Sequence, residues 1–187
     1  MSGLAEEGRS WLDLSGELDS RRGGDADWQR GRTALFIFNA GEDVRHVGEQ
    51  AYLSYMAENA LGLRAFPSLT GMEQDIVSAA KQLMNAPEGS AGGFTTGGTD
   101  SITMAVKACR DWAVAQGRNP VGLRIIAAET AHPAFNKAAH LMNLEIVRTP
   151  VRNDFTADPA AIEAAIDDAT IMAVSYTHLT LPTSYPV

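Results

Sequence analysis

Apolar residues in the first half of the chain recur every three or four positions, which is the spacing of amphipathic helices. This spacing predicts one helix over residues 43–60, a second over 67–85 and a third over 101–117. Residues 1–30 are rich in Gly, Asp, Glu and Arg and have only weak periodicity. They are therefore predicted to form an arm or a loosely packed lead-in.

The second half of the chain alternates short apolar runs with helical stretches. Strands are predicted at 123–127, 145–148 and 171–174, and the helices between them at 132–143 and 158–167. Asp158-Pro159 places a capping residue before a proline at the first helical position, which is a common way to begin a helix. Because parallel strands need crossover connections of this kind, the pattern predicts an α/β fold with a parallel sheet.

The last thirteen residues, 175–187, break this alternation with a stretch rich in Thr, Pro and Tyr. An α/β chain normally continues after its third strand into a loop and another helix. We therefore expect an N-terminal arm over 1–40, the first part of a larger α/β domain over 41–174, and a tail over 175–187 that is foreign to the fold. The sequence thus predicts a truncated domain whose three-stranded sheet has a bare apolar edge.

Composition and charge narrow the functional classes. The 187 residues are 45% hydrophobic and 20% charged, an ordinary globular balance. A net charge of −8 and a pI near 4.9 argue against binding to nucleic acid or to an anionic membrane. There is no apolar run long enough to cross a bilayer and no signal-peptide core. With a single cysteine, Cys109, the composition predicts a cytoplasmic protein without a disulfide, and no metal site is predicted.

The stretch GGFTTGGTDS, residues 92–101, directly precedes the third predicted helix. Backbone N–H groups at a helix N-terminus lack partners within the helix, and glycines let an anion approach them closely. Gly97, Gly98 and Thr99 therefore indicate an anion site, with a flexible turn as the alternative. A P-loop is excluded because no Lys-Ser/Thr pair follows Gly98. A dinucleotide-binding loop is excluded because this turn follows a helix and not a strand.

Several short blocks follow one another in a specific order along residues 27–174. They read NAL at 59–61, FPS at 66–68, TTGGTDS at 95–101 and HPAFNKA at 132–138. In this order they resemble the group II pyridoxal-phosphate-dependent decarboxylases, most closely the sphingosine-1-phosphate lyase branch. Two positions depart from the family pattern, since Thr96 replaces a serine and Asp100 a glutamate.

The resemblance implies the large domain of a type I, aspartate aminotransferase-like fold with a helical N-terminal arm, and the cofactor pyridoxal 5′-phosphate. It implies that His132 stacks on the pyridine ring, whereas a helix cap before Pro133 is the alternative from the residues alone. It places Asn59 near the substrate entrance, although a polar residue at a helix end would look the same. Active sites of this family lie at dimer interfaces, so a homodimer is implied. The implied cofactor-binding residues are Gly97, Gly98, Thr99, Asp100, Ser101 and His132.

The resemblance also implies a reaction, the retro-aldol cleavage of a phosphorylated long-chain amino alcohol to an aldehyde and phosphoethanolamine. Family enzymes hold their cofactor through a Schiff-base lysine, and Lys81, Lys107 and Lys137 all lie in predicted helices without that lysine's context. We therefore expect this chain alone to be inactive. The alternatives are an amino-acid decarboxylase, a non-catalytic module that binds a phosphate ester, and a protein in which the turn is only a connector.

Overall fold

The computed structural model describes residues 7–30, 37, 39–62 and 64–174. By its internal contacts the chain divides into a first unit, Met1–Pro67, and a second unit, Ser68–Val187. The domain boundary expected at residue 40 stays a prediction, and the expected tail at 175–187 lies outside the described residues. The regular elements are α1 (Trp11–Arg22), α2 (Glu42–Ser54), α3 (Pro67–Leu83), α4 (Gly98–Ala115), β1 (Arg124–Ala128), α5 (Ala134–Leu141), β2 (Glu145–Thr149), α6 (Pro159–Ala165) and β3 (Thr170–Val174).

Local polar contacts, more than apolar periodicity, account for α1 in the N-terminal arm. The Ser10 hydroxyl accepts the backbone N–H of Asp13 at 3.2 Å and so caps the helix. Glu17 pairs with both Arg9 and Arg21, and these hydrogen bonds lower the pKa of the Glu17 carboxyl. No residue of α1 is buried. The helical arm is thus present, and its helix is exposed on every face.

Three helices, α3, α4 and α5, are followed by recognisable stop signals in the second unit, whereas α2 is not. α2 ends at Ser54, earlier than the predicted end at residue 60, and a short 3-10 helix follows at Ala60–Gly62. Beyond α3 and α5, Asn85 and Asn143 have φ values of 47° and 54°, and beyond α4 Gly117 has a φ of 84°. A left-handed residue at this position turns the chain away from the helix axis, and Gly and Asn adopt it most readily.

The three strands form a parallel sheet in the order β2-β1-β3, which confirms the α/β prediction. The central strand β1 is the most apolar, because it has a neighbour on each side and helices over its faces. Ile125, Ile126 and Ala127 of this strand are fully shielded from solvent. In register, Ala127 lies beside Arg148 of β2, and Ala128 lies beside Thr149.

The hydrophobic core lies in the second unit, between the sheet and the helices α4 and α5. Val106 of α4 and Phe135 of α5 meet Ile125 and Ala127 of β1 in one cluster. Ile126 alternates with those two β1 residues and is also buried, and α6 packs against β1 and β2. The core thus ties together the elements that carry the glycine-rich stretch and His132.

Candidate functional site

The glycine turn, residues 95–101, leads directly into α4. The helix begins at Gly98, three residues before the predicted start, so that Gly98, Thr99 and Asp100 form its first turn. The capping residue, Gly97, has no side chain to bind their N–H groups. The first helical bond runs from the Ser101 N–H to the Gly97 carbonyl at 2.9 Å. The turn therefore presents backbone donors at the positive end of the helix dipole.

Side chains within the glycine turn bind one another and leave one hydroxyl free. The Thr95 and Ser101 hydroxyls are 2.5 Å apart. The Asp100 carboxylate turns back and accepts from the N–H and the hydroxyl of Thr96 at 3.2 and 3.1 Å. The exposed Thr99 hydroxyl has no partner within the described ranges. A ligand could therefore use the Thr99 hydroxyl together with the amides without breaking an existing contact.

The space in front of the two central glycines is open. A Cβ built on Gly97 or Gly98 would have no atom within 4 Å. The turn borders a groove of about 600 Å³ whose lining also includes Lys137 and Leu141 of α5. An anion such as a phosphate ester therefore fits here, because donors, open space and one cation meet. Lys137 lies in the HPAFNKA block of the sequence, but the helical periodicity of that segment alone does not predict that Lys137 faces this groove.

A second cavity, of about 330 Å³, lies beside the turn and is mostly apolar. Among the residues that the structure describes, Ser101 alone contributes a polar side chain to its lining. Ile102 and Ala105 of α4, Phe135 of α5, and the end of β3 from Met172 to Val174 supply the rest. The turn thus lies between a polar groove and an apolar cavity.

His132 lies in the connection from β1 to α5, and its side chain is exposed. Its ring Nδ1 accepts the backbone N–H of Ala134, the first residue of α5, at 3.1 Å. The ring thus accepts an otherwise unpaired N–H at the start of α5, as in the capping alternative, although the capping position itself is Pro133. Because Nδ1 accepts, a neutral His132 carries its proton on Nε2 and presents it to solvent. Stacking on a cofactor ring stays a prediction.

Asn59 and the three lysines have well-defined surroundings. In the first unit, the Asn59 side chain accepts the Leu61 N–H at 3.1 Å and so caps the 3-10 helix, while its substrate role stays a prediction. Lys107 pairs with Asp111 one turn along α4, and Lys81 lies in the last turn of α3. Lys137 is the lysine that borders the glycine turn.

Other kinds of site are not found in the part of the chain that the structure describes. Between residues 7 and 174, apart from the gaps at 31–36, 38 and 63, no helix has the length and apolarity that a membrane crossing needs. Within the same ranges, no three His, Cys, Asp or Glu side chains are grouped to hold a metal ion. Cys109 is a free, partly buried thiol of α4, and burial raises its pKa.

The sequence and the fold can be compared with those of known proteins. No family model matches the chain. Mouse sphingosine-1-phosphate lyase 1 is 34% identical over 175 residues, which cover 93% of this chain and 30% of the mouse protein. The structure of a Burkholderia pseudomallei sphingosine-1-phosphate lyase matches with a TM-score of 0.82 at 29% identity, covering 92% of this chain and 42% of that one. The chain is a homologue of the sphingosine-1-phosphate lyases.

Homology to the sphingosine-1-phosphate lyases extends over nearly the whole chain but over less than half of each of these relatives. The fold is shared more widely. Lactobacillus brevis glutamate decarboxylase matches with a TM-score of 0.73 at 18% identity, covering 92% of this chain and 40% of that one. The α/β architecture is therefore that of the pyridoxal-phosphate-dependent lyases and decarboxylases, as the sequence blocks predicted.

Proposed function

We propose that the chain forms the cofactor-phosphate site of a pyridoxal-phosphate-dependent carbon–carbon lyase. Its substrate would be a phosphorylated long-chain amino alcohol, cleaved to an aldehyde and phosphoethanolamine. The observation that carries this proposal is the open glycine turn with its unpaired donors at the start of α4. Homology to the sphingosine-1-phosphate lyases supports the choice of reaction.

The glycine turn would bind the cofactor phosphate through backbone and hydroxyl donors. The amides of Gly98, Thr99 and Asp100 and the Thr99 hydroxyl are the groups available. The helix dipole and Lys137 add positive charge on the same side of α4. The Asp100 carboxylate would repel the phosphate, but its bonds to Thr96 keep it within the turn.

The cofactor, when bound, supplies an electron sink for the bond that breaks. The chain's own part is to orient it. His132 would lie against the ring, held in one tautomer by the bond from the Ala134 N–H to its Nδ1. The proton on Nε2 then faces outward, where it can donate to a substrate or cofactor oxygen. A homodimer, a cytoplasmic location and a role for Asn59 stay predictions from the sequence.

We further propose that the 187 residues bind the cofactor but do not cleave a substrate. Lys107 is engaged with Asp111, and Lys81 and Lys137 lie on helices outside the apolar cavity. Incubation with pyridoxal phosphate and either sphingosine 1-phosphate or glutamate should release neither aldehyde nor carbon dioxide. Release of aldehyde would contradict inactivity, and release of carbon dioxide would favour the decarboxylase alternative.

The glycine turn can be tested by binding. The double variant Gly98→Ala/Thr99→Val adds a methyl group to the open face and removes the free hydroxyl. It should weaken binding of pyridoxal phosphate and inorganic phosphate by about tenfold, the usual effect of one lost hydrogen bond to a charged group. The matched control is Thr70→Val/Gly71→Ala, an adjacent pair within α3 where a Cβ on the glycine also has open space.

Three outcomes distinguish the alternatives. Weaker binding in the turn variant and unchanged binding in the α3 control would support the proposal. Equal binding in both variants would identify the turn as a connector only. Binding of many phosphate esters with equal affinity, with no preference for the cofactor, would support the non-catalytic phosphate-ester module.

A further inference from the structure

The His132 loop, residues 129–133, is held in place by a side chain from the neighbouring strand. Arg148 of β2 donates from Nη1 to the carbonyl of Ala128 at 2.6 Å and to that of Ala131 at 3.3 Å. Its Nη2 donates to the Asn136 side chain at 2.7 Å. The three acceptors are the last residue of β1, the residue before His132 and a residue in the first turn of α5.

The backbone of the loop makes hydrogen bonds on both of its sides, and on the helix side the His132 and Pro133 carbonyls accept the N–H groups of Phe135 and Lys137 at 3.1 and 3.2 Å. The Glu129 N–H continues the ladder to the Thr149 carbonyl at 2.9 Å, and the Ala131 N–H closes a turn onto the Ala128 carbonyl at 2.9 Å. His132 then reaches forward to α5 through the Ala134 N–H. Arg148 is the group that joins the strand side of this loop to the helix side.

Arginine is the side chain suited to this position. Its guanidinium is planar and carries donors in a fixed fork, so one group can bind acceptors on two elements simultaneously. Lysine would offer a single ammonium centre and could not span the same three acceptors. Arg148 is partly buried, and this burial lowers its pKa, as expected when a charge is withdrawn from water. Burying a charged guanidinium costs solvation free energy, and the hydrogen bonds of Arg148 must offset that cost.

We propose that Arg148 is a positioning residue, which holds the loop so that the His132 ring keeps one orientation toward the ligand of the glycine turn. This inference rests on the proposed function, because His132 matters only if a ring lies against it. Arg148 itself contacts neither the turn nor its groove among the described residues. Its effect passes through Ala131 and Asn136, which flank His132 on both sides.

The test combines a spectroscopic signal from His132 with cofactor binding in the 187-residue chain. Nitrogen-15 spectra of the four histidines, assigned with His132→Gln, report whether Nδ1 is unprotonated and hydrogen-bonded. Arg148→Lys keeps the charge and loses the fork. Asn136→Ala removes one of the three contacts and leaves Arg148 in place. This second variant tests the proposal even if Arg148→Lys folds poorly. Arg152→Lys is the control, since Arg152 is exposed and its nearest carboxylate, on Asp158, is 3.9 Å away.

In the Arg148 and Asn136 variants, the His132 ring signals should shift toward averaged tautomers, and pyridoxal phosphate should bind about two- to tenfold more weakly, the range for a lost ring contact. Arg152→Lys should change neither. Unchanged His132 signals in both variants would overturn the proposal, as would shifted signals with wild-type affinity. If the wild-type chain does not bind pyridoxal phosphate, the proposed function fails, and the histidine spectra alone decide whether Arg148 positions the ring.

Discussion

The glycine turn and the His132 loop are proposed to face one ligand, yet they are held in place differently. In the turn, Thr95 binds Ser101 and Thr96 binds Asp100, so these side-chain hydrogen bonds stay within seven consecutive residues. The loop depends on Arg148, whose acceptors lie 12 to 20 positions earlier in the chain. The turn needs only its own helix, whereas the loop needs two strands already paired in register.

This difference predicts how each segment responds to damage. A change in the sheet or its core should reach the His132 loop through Arg148. A change within the turn should remain there, because its hydrogen bonds close on themselves.

The largest effect is expected where one residue supports both segments. Phe135 is 3% exposed in the core and also lines the apolar cavity beside Ser101. Phe135→Ala should lower the free energy of unfolding by about 3–5 kcal/mol, the usual cost of such a cavity. Urea unfolding followed by circular dichroism measures the change. Phe155→Ala is the control, because Phe155 is 75% exposed. A loss below about 1 kcal/mol for Phe135→Ala would show that α5 is not packed as described.

A smaller effect is expected from removing one charge from the glycine turn. Asp100→Asn keeps an oxygen for the two Thr96 contacts but removes the negative charge near the open amides. Phosphate and pyridoxal phosphate should bind about two- to fivefold more tightly, as expected for a charge in the first turn of a helix. Isothermal titration calorimetry measures the affinities, and the His132 ring signals should not move.

The matched control for this charge is Asp154→Asn. Asp154 also accepts a threonine N–H and hydroxyl, those of Thr156 at 3.0 and 2.7 Å. These bonds lower the pKa of Asp154. The control should leave phosphate affinity unchanged. Tighter binding in both variants would indicate a general effect of net charge and not a local one at the turn.

The smallest effect concerns Cys109 in the middle of α4. Burial raises the pKa of this thiol, so less thiolate is present in the folded chain than in the unfolded chain. Maleimide at pH 8 should therefore label the folded chain about twofold more slowly than the chain in urea. Because the folded-state pKa is the higher one, the associated stability is fully present below the ordinary thiol pKa and is lost as pH rises from there through the folded-state pKa. Equal rates would show that α4 leaves Cys109 open.

Local signals in the sequence predicted the glycine turn well. The donors at Gly98 and Thr99 follow from residue types that lie next to each other. Likewise, Asp158 caps α6 as predicted, with its side chain accepting the Ala160 N–H at 3.0 Å. α4 begins three residues before its predicted start, because Gly98 takes part in the first helical turn although glycine is a weak helix former.

The role of Arg148 could not be predicted in the same way. Its contacts depend on the register that sets Ala127 beside Arg148, and a slip of one residue would turn the side chain to the other face of the sheet. Lys137 presents the same difficulty, since its place beside the turn depends on how α5 packs on α4. In both cases the decisive neighbours are distant in sequence.

The strand order has a consequence for synthesis of the chain. β1 is made first but becomes the middle strand, with β2 on one side and β3 on the other. On the ribosome, the apolar residues Ile125 and Ile126 therefore emerge with both backbone edges unpaired, and the first partner arrives only with Glu145. Until then the nascent segment is open to chaperones and to other nascent chains. The pace of translation between Ala128 and Glu145 sets the length of that exposure.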